Sequence, residues 1–84
     1  MSRFVITFGS THQAMAAEHS LDGVLPLELI PTPREISSEC GFTLLVKVPT
    51  PNEIIGILHK KKLPFSAIYK VNEYSGGKSY EIVY

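Results

Sequence analysis

The stretch Phe42-Thr43-Leu44-Leu45-Val46-Lys47-Val48-Pro49-Thr50-Pro51-Asn52-Glu53-Ile54-Ile55-Gly56-Ile57-Leu58 decides how this chain folds. Phe42 to Val48 is nearly all apolar and reads as a strand, and so continuous a run suits a central place in a covered sheet. The period then changes. Pro49 and Pro51 bracket Thr50, an N-cap residue type, and Glu53 follows where a carboxylate meets the positive start of a helix. Ile54, Ile55, Ile57 and Leu58 form one helical stripe. Lys60-Lys61-Lys62 complement the negative C-terminal end, and Pro64 stops the helix.

The same alternation of strand and helix runs upstream. Arg3-Phe4-Val5-Ile6-Thr7-Phe8 is β-branched and aromatic and ends at Gly9, which predicts a first strand. Ser10 with Gln13 three residues later spells a capping box. Ala14, Ala17 and Leu21 then give a small-residue face able to lie close to a sheet. Gly23 suits the left-handed position after a helix. Leu27-Glu28-Leu29-Ile30 is a short second strand halted by Pro31. Downstream, Phe65 to Val71 alternates as a fourth strand, Ser75-Gly76-Gly77-Lys78 is a hairpin turn, and Tyr80-Glu81-Ile82-Val83 is a last short strand. This order, βαββαβ with a terminal hairpin strand, predicts an α+β fold. It is a ferredoxin-like α/β sandwich, an antiparallel sheet with two helices on one face, and one domain spans residues 1–84.

Composition excludes several classes of function. The chain has 84 residues, 8 lysines and arginines and 8 aspartates and glutamates, so its formal net charge is zero. A nucleic-acid binder needs clustered excess basic charge to neutralise phosphates, which argues against that partner. With 44% hydrophobic and 19% charged residues the chain is too apolar for disorder. It has no apolar run of the roughly 18 residues a transmembrane helix needs, so no membrane partner is expected. The opening Met1-Ser2-Arg3-Phe4-Val5-Ile6 lacks the apolar core and cleavage site of a secretory signal. A single cysteine cannot close an internal disulfide. Together these predict a cytoplasmic protein.

That cysteine lies in the one irregular segment, Pro31 to Gly41. Thr32-Pro33-Arg34-Glu35 again spells a capping box with proline at the first helical position, which predicts one or two helical turns over Pro33 to Ser38. Cys40 follows at the junction with the apolar strand. Arg34, Ser37 and Ser38 lie within a turn or two of it, and a guanidinium and hydroxyl donors favour the nucleophilic thiolate. Glu39 opposes them. Gly41 leaves the thiol unshielded on one side and lets a partner backbone come close. The alternative is a buried structural cysteine at a strand start.

The run Ile30-Pro31-x-Pro33-Arg34-Glu35-Ile36-Ser37-Ser38-x-Cys40-Gly41 resembles the signature of a small bacterial family of selenium/sulfur carrier-like proteins. Phe8-x-Ser10-Thr11-His12-x-Ala14-x-x-Ala17-Glu18 is similar to that family's first strand and helix. The similarity spans most of the chain, although the region from Lys60 onward is not distinctive. It implies a cysteine that holds sulfur or selenium as a persulfide or selenylsulfide, with sulfur or selenium donor and acceptor proteins as partners. Cys40 would be the carrier atom, Arg34 its electrostatic support, and the Ser37, Ser38 and Gly41 backbone its cradle. Such a protein is a covalent co-substrate rather than a turnover enzyme, and it requires an exposed thiol. Other sulfur carriers open a helix with Cys-Pro-x-Pro; here the prolines precede the cysteine, so that mechanism does not transfer.

No other constellation competes. His12 and His19 are seven apart, whereas a metal pair on a helix wants three or four, so no metal is expected. Gly76-Gly77 lacks the context of a phosphate loop, and no cofactor is indicated. His59 with Lys60-Lys61-Lys62 is a helix-terminal charge cluster able to meet an acidic partner or phosphate. Tyr69, Tyr74, Tyr80 and Tyr84 fall on the last strands, where they cover a sheet face or a homodimer contact. An uncovered sheet face carrying these aromatics supports the competing reading, a non-catalytic interaction module in which Cys40 is structural.

Overall fold

Phe4 and Ile6 point to one side of the first strand and Val5 and Thr7 to the other, yet all four are buried. This strand, β1 (Ser2–Thr7), therefore has elements packed on both of its faces. The structure is a computed structural model that describes residues 1–36 and 40–84. After β1 come α1 (Thr11–Leu21), β2 (Leu27–Pro31), β3 (Phe42–Val48), α2 (Pro51–Lys60), β4 (Ala67–Tyr74) and β5 (Gly77–Ile82). The five strands form one sheet in the order β2-β3-β1-β4-β5. Every neighbouring pair is antiparallel, with Ile6 opposite both Leu44 and Ile68. Each helix carries the chain past one intervening strand, α1 from β1 to β2 across β3 and α2 from β3 to β4 across β1. That is the ferredoxin-like sandwich, extended by β5 on one edge. β3 is interior, as its apolar run requires, but the middle place belongs to β1.

The main core lies between this sheet and the two helices. Phe4, Ile6, Leu44, Val46 and Ile68 of the sheet meet Ala14, Ala17 and Leu21 of α1 and Ile54 and Leu58 of α2. The alanines remove side-chain bulk from α1, which lets its backbone settle on the sheet. Ser10 caps α1 by accepting a hydrogen bond from the Gln13 amide at 3.2 Å. The Gln13 side chain reaches back to the Gly9 amide at 3.1 Å, one residue before the cap, rather than to Ser10 itself. Gly23 takes φ +80°, the left-handed value expected of it. Thr50 is extended at the N-cap of α2 but makes no side-chain capping bond.

Several boundaries differ from the sequence reading: β2 takes in Pro31, β4 begins at Ala67 rather than Phe65, and two larger differences have a physical reason. α2 ends at Lys60, before Pro64 can act, because Lys62 turns left-handed at φ +55°. The terminal hairpin is longer than predicted, with Tyr74 already paired with Gly77 and only Ser75 and Gly76 between them. Its added residues are polar on both faces, so hydropathy carried no signal for them.

The second face of the sheet is also partly covered. Val5, Thr7 and Thr43 are buried there, and Ile36, just after β2, is buried as well. Tyr80 of β5 faces the same way, and its hydroxyl is held above its usual pKa by burial and then by the charges of Glu35 and Glu73. The Glu35 carboxylate is therefore near enough to act on Tyr80. Tyr69 and Tyr80 are half-buried rather than freely exposed, so the expectation of an uncovered aromatic face fails at its centre. Tyr74 and Tyr84 do stay exposed. Among the described residues no helix is long and apolar enough to cross a membrane.

Candidate functional site

β1 ends, α1 begins, β3 begins and α2 ends at one pole of the sandwich. Cys40 sits at that pole, just before β3, in the same apolar cluster as Phe8, Ala14 and Leu58. Its residue is 3% exposed, so the exposed thiol that carrier chemistry called for is not what the fold presents. The sulfur nevertheless has polar neighbours. Sγ donates to the Phe42 carbonyl at 3.1 Å, and the Phe42 amide donates to Sγ at 3.4 Å. Thr11 Oγ1, on the first residue of α1, lies 3.9 Å away. The apolar core grips the side chain while the polar contacts sit where the chain turns into β3.

The strands hold the neck of the connection that delivers Cys40. Thr32 Oγ1 donates to the Cys40 carbonyl at 2.7 Å, and the Thr32 amide donates to the Gly41 carbonyl at 2.9 Å. These two bonds prolong the β2–β3 pairing, in which Pro31 opposes Phe42. They also explain why the second predicted helix start does not operate. The Thr32 amide is taken up by Gly41 and is not open to the Glu35 side chain as a capping box requires, and Pro33–Ile36 closes a single turn in which the Ile36 amide donates to the Pro33 carbonyl at 3.0 Å. Of the one or two turns expected over Pro33 to Ser38, the described part holds this one, and the remainder lies outside the described residues. Ser37, Ser38 and Glu39 lie outside the described residues, and with them the cradle expected of the two serines.

Arg34 is exposed, and among the described residues it makes no ion pair or hydrogen bond. Gly41 is exposed, and a Cβ placed on it would meet nothing within 4 Å. Neither strain nor crowding requires glycine there; its small size leaves one side of the Cys40 turn open. Tertiary folding also produces features no local pattern announced. His59 Nε2 and Tyr84 OH come within 3.4 Å, and Phe65 packs against both rings. A groove of about 320 Å³ lies between Arg3, Glu28, Leu45 and Lys47, beside the start of β1 and so at the opposite pole from Cys40. Among the described residues no cluster of histidine, cysteine, aspartate or glutamate could hold a metal ion.

Residues 3–70 match a family model described as "Putative Se/S carrier protein-like". The chain belongs to this family. The match runs from β1 into β4 and spans the Pro31–Gly41 segment, and it bears out the family resemblance. Membership in a family described as carrier-like implies partner proteins. No curated protein and no solved structure matches the chain.

Proposed function

We propose that the protein carries sulfur or selenium on Cys40, as a persulfide or selenylsulfide, between a donor and an acceptor protein. In loading, the Cys40 thiolate attacks the terminal sulfur of a donor persulfide, R–S–SH. The new bond gives Cys40–S–SH, and the donor S–S bond breaks to release R–S⁻, so the exchange is redox-neutral. A donor selenylsulfide, R–S–SeH, reacts in the same way and leaves Cys40–S–SeH. Unloading repeats the exchange, with an acceptor thiolate attacking the terminal atom.

The observation that carries this reading is the setting of the sole cysteine in a chain of this family. The Phe42 amide and the Thr11 hydroxyl stand beside Sγ, and both can donate to an anionic sulfur. Thr11 also begins α1, whose positive end favours negative charge nearby. Burial shields a bound chalcogen from solvent reductants, and it requires the Thr32 neck or the Gly41 side to open when a partner arrives. Arg34, exposed above the turn, is free to meet that partner. The test is intact mass after incubation with a cysteine desulfurase and cysteine. A gain of one sulfur on the wild type, absent from Cys40→Ser, supports the proposal, and selenide is tried next. No gain, with a thiol also inert to alkylation, rejects it.

The burial of Cys40 in the main core cluster favours a second reading, an interaction module in which the cysteine is structural. In that case Cys40→Ser keeps partner binding and cellular activity. Loss of activity with the fold intact decides against it.

A further inference from the structure

α2 ends in a feature that is unfavourable for the fold taken alone. The Leu63 amide donates to the Leu58 carbonyl at 3.0 Å and the Lys62 amide to the His59 carbonyl at 3.1 Å. This pair of bonds is a Schellman cap, and its left-handed position is normally glycine. Here it is Lys62, at φ +55°. A side chain in that conformation is strained, and a strained residue is a reason to ask what its side chain does. Lys60, Lys61 and Lys62 are all exposed, and among the described residues none is within ion-pair distance of a carboxylate.

Topology places these lysines at the Cys40 pole. Four residues after Lys62, the Ser66 amide bonds the Thr7 carbonyl at 2.7 Å, at the end of β1. Thr11, a few residues on, touches Cys40. Leu58, in the last turn of α2, shares the core cluster with Cys40. In a chain of zero formal net charge, three adjacent unpaired ammonium groups are a local positive patch.

We propose that Lys60, Lys61 and Lys62 dock an acidic protein surface beside Cys40. This rests on the carrier reading for its biological sense, and it names the chemistry of the partner. The helix end itself presents carbonyl oxygens, which repel a small anion seated against the backbone. Long lysine stems reach past that end to carboxylates held on another protein. Nucleic acid fits less well, because the neighbouring rings of His59, Phe65 and Tyr84 pack on one another with centroids 5.8 to 6.2 Å apart instead of offering a free stacking platform.

The test titrates the intact protein, as Cys40→Ser to exclude sulfur chemistry, with an oligo-glutamate peptide and separately with oligothymidylate of equal charge. Amide shifts are followed residue by residue. The expected result is peptide-induced shift concentrated at His59 to Leu63, weakened by salt and about tenfold by Lys60→Gln/Lys61→Gln/Lys62→Gln, since three screened surface pairs are lost. Lys62→Gly is expected to melt higher and bind the peptide less well. Shifts scattered elsewhere, binding unchanged in the triple variant, or tighter binding of the oligothymidylate would each overturn the proposal. In wild-type Cys40 protein the triple variant slows loading by a desulfurase while leaving alkylation by a small reagent unchanged. Failure of sulfur loading in the wild type itself counts against the carrier reading and leaves the peptide result to be judged alone.

Discussion

Thr7 and Thr43 offer two chemically identical changes with opposite expected signs. Both side chains are buried on the face of the sheet away from the helices, at 3% and 0% exposure. Thr7 Oγ1 donates to the Ala67 carbonyl at 3.3 Å, whereas Thr43 Oγ1 has no hydrogen-bond partner among the described residues. A buried hydroxyl without a partner costs about 1–3 kcal/mol relative to one left in water. Valine keeps the branched shape and removes that cost, so Thr43→Val should stabilise the fold by about 1–2 kcal/mol. In a domain of this size each kcal/mol moves the midpoint by about 4–8 °C. Thr7→Val instead deletes a made bond and should lose about 0.5–1.5 kcal/mol. Urea unfolding measures both differences, and an unchanged m-value confirms that the compared states are the same. If Thr43→Val proves neutral or destabilising, its hydroxyl has a partner in solution, and the account of this covered face is wrong.

Three further outcomes follow from the same geometry. Thr32→Val removes the 2.7 Å bond to the Cys40 carbonyl; it should cost about 1 kcal/mol and speed alkylation of the native thiol, and an unchanged alkylation rate would show that the neck does not govern access. Wild-type Cys40 should alkylate at least about tenfold more slowly in the native protein than in the unfolded chain, because local opening must precede reaction. Tyr80 ionises at higher pH in the folded protein than in the unfolded chain, where tyrosine titrates near 10. Its neutral form is thus favoured by folding: its contribution is fully present below pH 10 and falls as pH rises through the folded value. Tyr80→Phe should therefore flatten the alkaline decline in stability, and an identical decline in the variant would place the titrating group elsewhere.

The elements of this fold were legible because their signals are local. Phe42 to Val48 is one apolar run bounded by Gly41 and Pro49, and the strand has those limits. Ser10 with Gln13 and the Ala14, Ala17, Leu21 face likewise describe α1 as it stands. The family could also be read, since a sole cysteine in the distinctive Pro31–Gly41 run needs no tertiary information. Reading failed where a residue had two possible partners. Thr32 has the spacing of a helix cap, but the Cys40 and Gly41 groups brought to it by the β2–β3 pairing are available only once the sheet has formed. Lys62 ends α2 ahead of Pro64 because the cap bonds its backbone in a conformation that composition gives no reason to expect of lysine.

The sequence by itself determined the order of strands and helices, the ferredoxin-like class and the family, and it singled out Cys40 as the residue on which the carrier proposal rests. Periodicity, capping and residue type act within a few positions along the chain, and so they survive in one dimension. Only the tertiary structure decided that β1 is the middle strand, that the second face is partly covered, and that Cys40 is buried beside the first turn of α1 with the lysines of α2 at the same pole. Those facts depend on which surfaces meet across the sheet, and burial is a property of the assembled layers rather than of any segment within them.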